Sequence, residues 1–75
     1  MRRQGYPYNG KRYLLNTNSN ELHDLDNESS LCQIDQILYE HIKMFDYLED
    51  GLSYQREKTG KQNGCYWCLK QYHTG

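Results

Sequence analysis

A chain of 75 residues with 36% hydrophobic residues and a mean hydropathy of -1.11 has little apolar surface to offset the entropy of ordering itself, so a staple beyond the core is expected. Eight Tyr, one Trp, one Phe and a net charge of -1 argue against disorder of the whole chain and against a strongly basic nucleic-acid surface. No run approaches the roughly 18 apolar residues of a membrane span, and Met1-Arg2-Arg3-Gln4 is not followed by a signal-peptide core, so a soluble, cytoplasmic protein is expected.

Residues 1–11 mix Arg, Gly, Pro and Asn with Tyr6 and Tyr8 and have no period. They read as a flexible or loosely docked arm ahead of a single domain over residues 12–75. From Arg12 to Asn16 the chain is strand-like; Thr17-Asn18-Ser19-Asn20 is dense in turn formers, and Glu21-Leu22-His23 resumes an extended pattern. This predicts a β-hairpin.

Ser30-Leu31-Cys32-Gln33 matches a capping box, and Leu31, Ile34, Ile37, Leu38 and Ile42 follow at near-helical spacing, which predicts a helix packed on the hairpin. Lys43-Met44-Phe45 can return as a short strand. Asp46 then offers an N-cap for a second helix carrying Leu48 and Leu52, weakened by Gly51 and ending near Thr59-Gly60. Asn63-Gly64 is a turn, and Cys65 to His73 reads as a short terminal helix. The fold class is therefore α+β. The predicted core is Leu14, Leu15, Leu22, Leu31, Ile34, Ile37, Leu38, Phe45, Leu48 and Leu52.

Cys65-Tyr66-Trp67-Cys68 is a C-x2-C behind a turn, a spacing that lets both sulfurs reach one ion. Three cysteines do not pair off into a disulfide framework, and with a reducing compartment they fit a metal better. Structural zinc takes four ligands in a tetrahedron. Cys32 supplies the third sulfur; His23, at the hairpin's end, is the preferred fourth ligand, His73 competes with it, and His41 reads as a surface histidine. The plainer reading of the cysteines is that of small buried hydrophobes. A thioredoxin-like redox pair lacks its βαβ context.

The order His23, Cys32, an extended Phe45, an acidic helix start at Asp46 and a closing Gly64-Cys65-x-x-Cys68 resembles the small metal-binding domains of the Ada type, found in DNA-repair methyl acceptors and attached to some nucleases. The resemblance covers about Tyr13 to Cys68. It implies a zinc site in a fold of this kind, with thiolates able to accept an alkyl group.

Three functions follow as expectations. The first is a structural-zinc module binding a protein partner, of adaptor or inhibitor type, with Tyr66, Trp67 and Tyr72 as candidate partner surface. The second is a nucleic-acid-binding zinc module using Arg2, Arg3, Lys11 and Arg12 with Lys58, Lys61 and Lys70. The third is the zinc-thiolate alkyl acceptor. No phosphate loop or Ser-His-Asp arrangement nominates an enzyme, and no catalytic residue is assigned.

Overall fold

The computed structural model describes residues 2–73. The hairpin forms where the turn formers place it, with β1 at Tyr13–Asn16 and β2 at Glu21–Asp24. Asn16 organises its loop. The Asn16 Oδ1 accepts from the N–H groups of Asn18 at 2.9 Å and Ser19 at 3.3 Å, and the left-handed φ of 61° at Asn20 lets the chain close back on the Asn16 carbonyl at 2.7 Å. The third strand, β3 at Ile42–Phe45, pairs antiparallel with the far side of β1, giving the order β2-β1-β3.

Strand alternation sends successive side chains to opposite faces. In register, Leu14, His23 and Met44 share one face, while Leu15, Leu22 and Lys43 share the other. The first face joins Tyr8, Leu25, Cys32, Ile34, Cys65 and Cys68 in one buried cluster. The second joins Tyr13, Leu52 and Leu69, with Phe45, Leu48, Tyr54 and Tyr72 packed at its margin.

The helix α1, Leu48–Thr59, covers that second face. Gly51 is what lets it approach: a Cβ there would lie 2.9 Å from a Leu22 methyl, so the helix gives up about 1 kcal/mol of propensity to seat closely on β2. Its N-cap is Tyr47, one residue after the expected Asp46, and makes no side-chain cap bond. Gly60 ends it in the left-handed conformation, with its N–H on the Arg56 carbonyl at 2.8 Å.

The segment from Ser30, expected as a continuous helix, is helical only in three 3-10 turns: Ser30–Cys32, Ile34–Gln36 and Tyr39–His41. Gln33 lies between the first two in the left-handed region, at φ 55°. A helix cannot run through that residue. Leu31 and Leu38 are consequently exposed, not core, and Ile42 belongs to β3. Ile37, Phe45 and Leu48 pack at the margins of the clusters rather than inside them. The terminal segment is likewise a loop with one 3-10 turn at Lys70–Tyr72.

The first residues are docked. Tyr8 is buried in the first cluster, and Arg3 donates to both oxygens of Glu28 and to Asp35. Behind β2, the buried Asp24 carboxylate accepts both Arg12 donors at 2.9 Å and the Asn27 amide at 2.9 Å. Burial alone would push Asp24 up; Arg12, Asn27 and the Asp26 N–H outweigh it and hold the carboxyl below its ordinary range. Among the described residues no helix is long and apolar enough to cross a membrane.

Candidate metal centre

Four buried side chains meet on the face of the sheet away from α1: His23, Cys32, Cys65 and Cys68. Each comes from a different local device. His23 projects from β2 opposite Leu14. Cys32 ends the first 3-10 turn, which Ser29 caps by accepting the Leu31 N–H at 3.1 Å. The cap falls one residue before the Ser30 that the sequence pattern nominates.

Cys65 is held by a short parallel bridge beside β2. The Leu22 N–H donates to the Asn63 carbonyl at 3.0 Å, and the Cys65 N–H donates to the Leu22 carbonyl at 2.8 Å. Gly64, between them, has no room for a side chain, because a Cβ would collide with the Leu69 carbonyl oxygen and approach the Tyr72 Cβ to 2.9 Å. The loop then folds over itself: the Leu69 N–H reaches the Cys65 carbonyl at 2.9 Å and the Gly64 N–H reaches that of Tyr72 at 2.8 Å. This brings Cys68 back to the cluster.

The ligand atoms all lie within 4.8 Å of one another. The Sγ atoms of Cys32 and Cys65 are 3.6 Å apart, which leaves them as free thiols, and the Cys68 Sγ is 3.7 Å from His23 Nδ1. A tetrahedral zinc site with Zn–S near 2.3 Å and Zn–N near 2.0 Å has edges of about 3.5–3.8 Å. Two of the observed separations match those edges, and no separation is more than about 1 Å beyond them. Three sulfurs and an imidazole are a donor set for a soft or borderline cation.

Two backbone donors already point at sulfur, the Asp24 N–H at 3.2 Å from Cys68 and the Trp67 N–H at 3.4 Å from Cys65. Burial pushes the Cys32 and Cys68 thiols up, against the pull of the Ser29 and Asp24 backbone donors, and pushes His23 down to about 4. Without a cation Cys32 and Cys68 favour the neutral thiol. A dication at the centre of the site inverts that preference by ionising the sulfurs that ligate it. The neutral imidazole is ready to ligate throughout the physiological range.

All four preferred ligands are thus brought together, and the competing histidine is not among them. His73 Nδ1 lies 3.2 Å from the Gly64 carbonyl, and its ring sits 5.4 Å from that of Tyr66. The aromatic residues of the C-x2-C diverge from the site: Tyr66 and Trp67 are 43% and 52% exposed, edge to face at 4.8 Å, with the Lys70 Nζ 4.9 Å from the Tyr66 ring centroid. Tyr72 instead packs against the second cluster. A cleft of about 390 Å³ reaches His23 and Cys32 from solvent, and another of about 440 Å³ reaches Cys68.

Sequence reasoning missed three supports of the site: Gln55, Asp24 and Tyr8. Gln55 is fully buried on α1, and its amide donates to the carbonyls of Asn20 at 3.0 Å and Asn63 at 2.8 Å. A glutamine in mid-helix carries no sequence signal for such a role. The Arg12 to Asp24 spacing has none either, since the two meet only once the hairpin forms.

Fold and site define a small α+β domain with a buried His/Cys cluster able to hold a metal ion. Comparison with known proteins gives no family model, no curated protein and no solved structure that matches the chain.

Proposed function

We propose that the protein is a structural-zinc module that acts by contact with a protein partner. The observation that carries the metal half is the meeting of His23, Cys32, Cys65 and Cys68, from three separate stretches of chain, within 4.8 Å in a buried site. Zinc is the ion this donor set suits best in a closed tetrahedron. Its binding would supply folding free energy on the order of 10 kcal/mol, which a chain with this thin a core needs.

The partner half is supported by the exposed Tyr66–Trp67 pair. Both residues ride on the turn that the metal would make rigid, and rigid exposed aromatics are what interface hot spots are built from. Affinity capture from cells expressing the protein tests this reading, with wild type compared to the Tyr66→Ala/Trp67→Ala variant and to chelator-treated protein. A partner recovered by wild type and lost in both comparisons is expected. Equal recovery from all three samples contradicts it.

The Ada-type resemblance gives a second reading, that of an alkyl acceptor, and it has one observation behind it: Cys32 lines a solvent-open cleft. Three thiolates and a neutral imidazole around a dication leave one net negative charge, against two for four thiolates, so the sulfurs are the weaker nucleophiles. Exposure of zinc-loaded protein to a methyl donor decides between the readings. A methyl-group mass increase on Cys32 would favour the acceptor, and an unmodified chain favours the partner-binding module.

A further inference from the structure

The cations of this protein fall into two groups. Arg2, Arg3, Lys11, Arg12 and Arg56 each pair with a carboxylate. Lys43, Lys58, Lys61 and Lys70 pair with none among the described residues. Lys43 and Lys58 converge on one ring, with their Nζ atoms 5.2 Å and 5.6 Å from the Tyr54 centroid. Lys61 follows two residues after the end of α1. Two of the four unpaired lysines, Lys43 and Lys58, thus lie together where α1 overhangs β3, while Lys70 lies apart over Tyr66.

Beside that charge the sheet is open. The strand order makes β3 an edge, and apart from the Ile42 N–H, which donates to the Tyr39 carbonyl, residues 42–45 make no backbone hydrogen bond outside their ladder with β1 among the described residues. The opposite edge, β2, is occupied by Asn63 and Cys65. Asp46, the carboxylate at the end of β3, pairs with Lys11 at 3.8 Å and does not neutralise Lys43.

We infer that the open edge of β3 accepts an extended acidic segment of another protein as a fourth strand, its main chain bonding residues 42–45 and its carboxylates meeting Lys43 and Lys58. Edge addition supplies affinity through main-chain bonds and selectivity through side chains at alternate positions, and the unpaired lysines set the sign of the guest's charge. The inference rests on the partner-binding reading but uses a face separate from Tyr66 and Trp67.

Other occupants fit less well. A second copy of this chain added edge to edge would bring Lys43 near its own counterpart, and like charges across a strand pair are destabilising. A nucleic acid would meet the lysines but leave the row of backbone donors and acceptors unused, on a chain whose net charge is -1.

The experiment is an NMR titration of zinc-loaded, ¹⁵N-labelled protein. The probes are a capped peptide alternating Glu with Val, the same peptide with Lys for Glu, and a short oligothymidylate. The acidic peptide should shift the amides of residues 42–45 together with those of Tyr54 and Lys58. The Lys43→Glu/Lys58→Glu variant, with unchanged zinc content and circular dichroism, should bind it about tenfold more weakly or worse.

Equal binding of the basic peptide, shifts confined to other residues, a preference for the oligonucleotide, or no response to the acidic peptide would each overturn the inference. So would dimerisation through β3 in the absence of peptide. Loss of peptide binding with Trp67-dependent capture intact removes the edge proposal alone. Failure of both removes the partner-binding reading.

Discussion

The side chain of Gln55 and the backbone of Asn63 form a reciprocal pair: the Gln55 amide donates to the Asn63 carbonyl at 2.8 Å, and its Oε1 accepts the Asn63 N–H at 3.2 Å. The same amide also holds the Asn20 carbonyl in the hairpin loop. One buried glutamine on α1 thus ties together the hairpin turn, the helix and the strand-like residues that place Cys65. The His/Cys cluster lies on the other face of the sheet, so Gln55 acts on it only through the backbone.

Replacement of Gln55 by Ala should therefore cost stability and metal affinity together. The Asn20 carbonyl and the Asn63 N–H each lose a hydrogen bond in a half-buried setting, while the Asn63 carbonyl keeps the Leu22 N–H, which costs about 1–2 kcal/mol in all. Zinc affinity should fall about tenfold as Cys65 loosens, as for other outer-shell supports of metal ligands. Thermal unfolding and a competitive chelator titration read the two effects; a variant with unchanged affinity would show that Cys65 is positioned independently of α1.

Gly51→Ala reverses the usual expectation for a glycine inside a helix. Propensity alone would stabilise the protein by about 1 kcal/mol, but the new methyl would sit 2.9 Å and 3.0 Å from the two Leu22 methyls. Leu22 is fully buried and paired in register with Leu15, so it has little room to yield. A net loss of about 1–2 kcal/mol is expected, measurable by urea denaturation. A gain in stability would mean that α1 can shift on the sheet.

Much of this arrangement is legible in the sequence. Turn formers at 17–20 delimit the hairpin, a strand-like Lys43-Met44-Phe45 forms the third strand, and the clustering of His23, Cys32, Cys65 and Cys68 follows from cysteine spacing and the position of His23. The segment between Ser30 and Ile42 is not legible, because 3-10 turns repeat every three residues and imitate the spacing of an α-helix over so short a run. What separates the two is the left-handed Gln33, a conformation no side-chain pattern announces. The docked Tyr8 was equally silent, since a single aromatic in a Gly- and Asn-rich stretch has no period to read.

High pH should destabilise the fold through its buried phenols. Burial raises Tyr8 and Tyr13 above their ordinary pKa of about 10, against the pull of Arg3 and Arg12 beside their rings. The folded state thus favours the neutral phenol. That contribution is fully present below the unfolded-state pKa near 10 and is lost as pH rises above it. Near-ultraviolet phenolate absorbance followed alongside circular dichroism should show a late component that coincides with unfolding. If all phenols ionise while the fold stays intact, Tyr8 and Tyr13 are not sequestered as described.

Metal content tests the central claim most directly: native mass spectrometry with elemental analysis of protein purified without chelator, applied to wild type and to the Cys65→Ala, His23→Ala and His73→Ala variants. One zinc per chain is expected in wild type and in His73→Ala, with loss of metal and of a cooperative melting transition in the other two. A folded wild type that carries no metal, or a Cys65→Ala protein that keeps both its metal and its melting temperature, would contradict the account and leave the cysteines as buried packing residues.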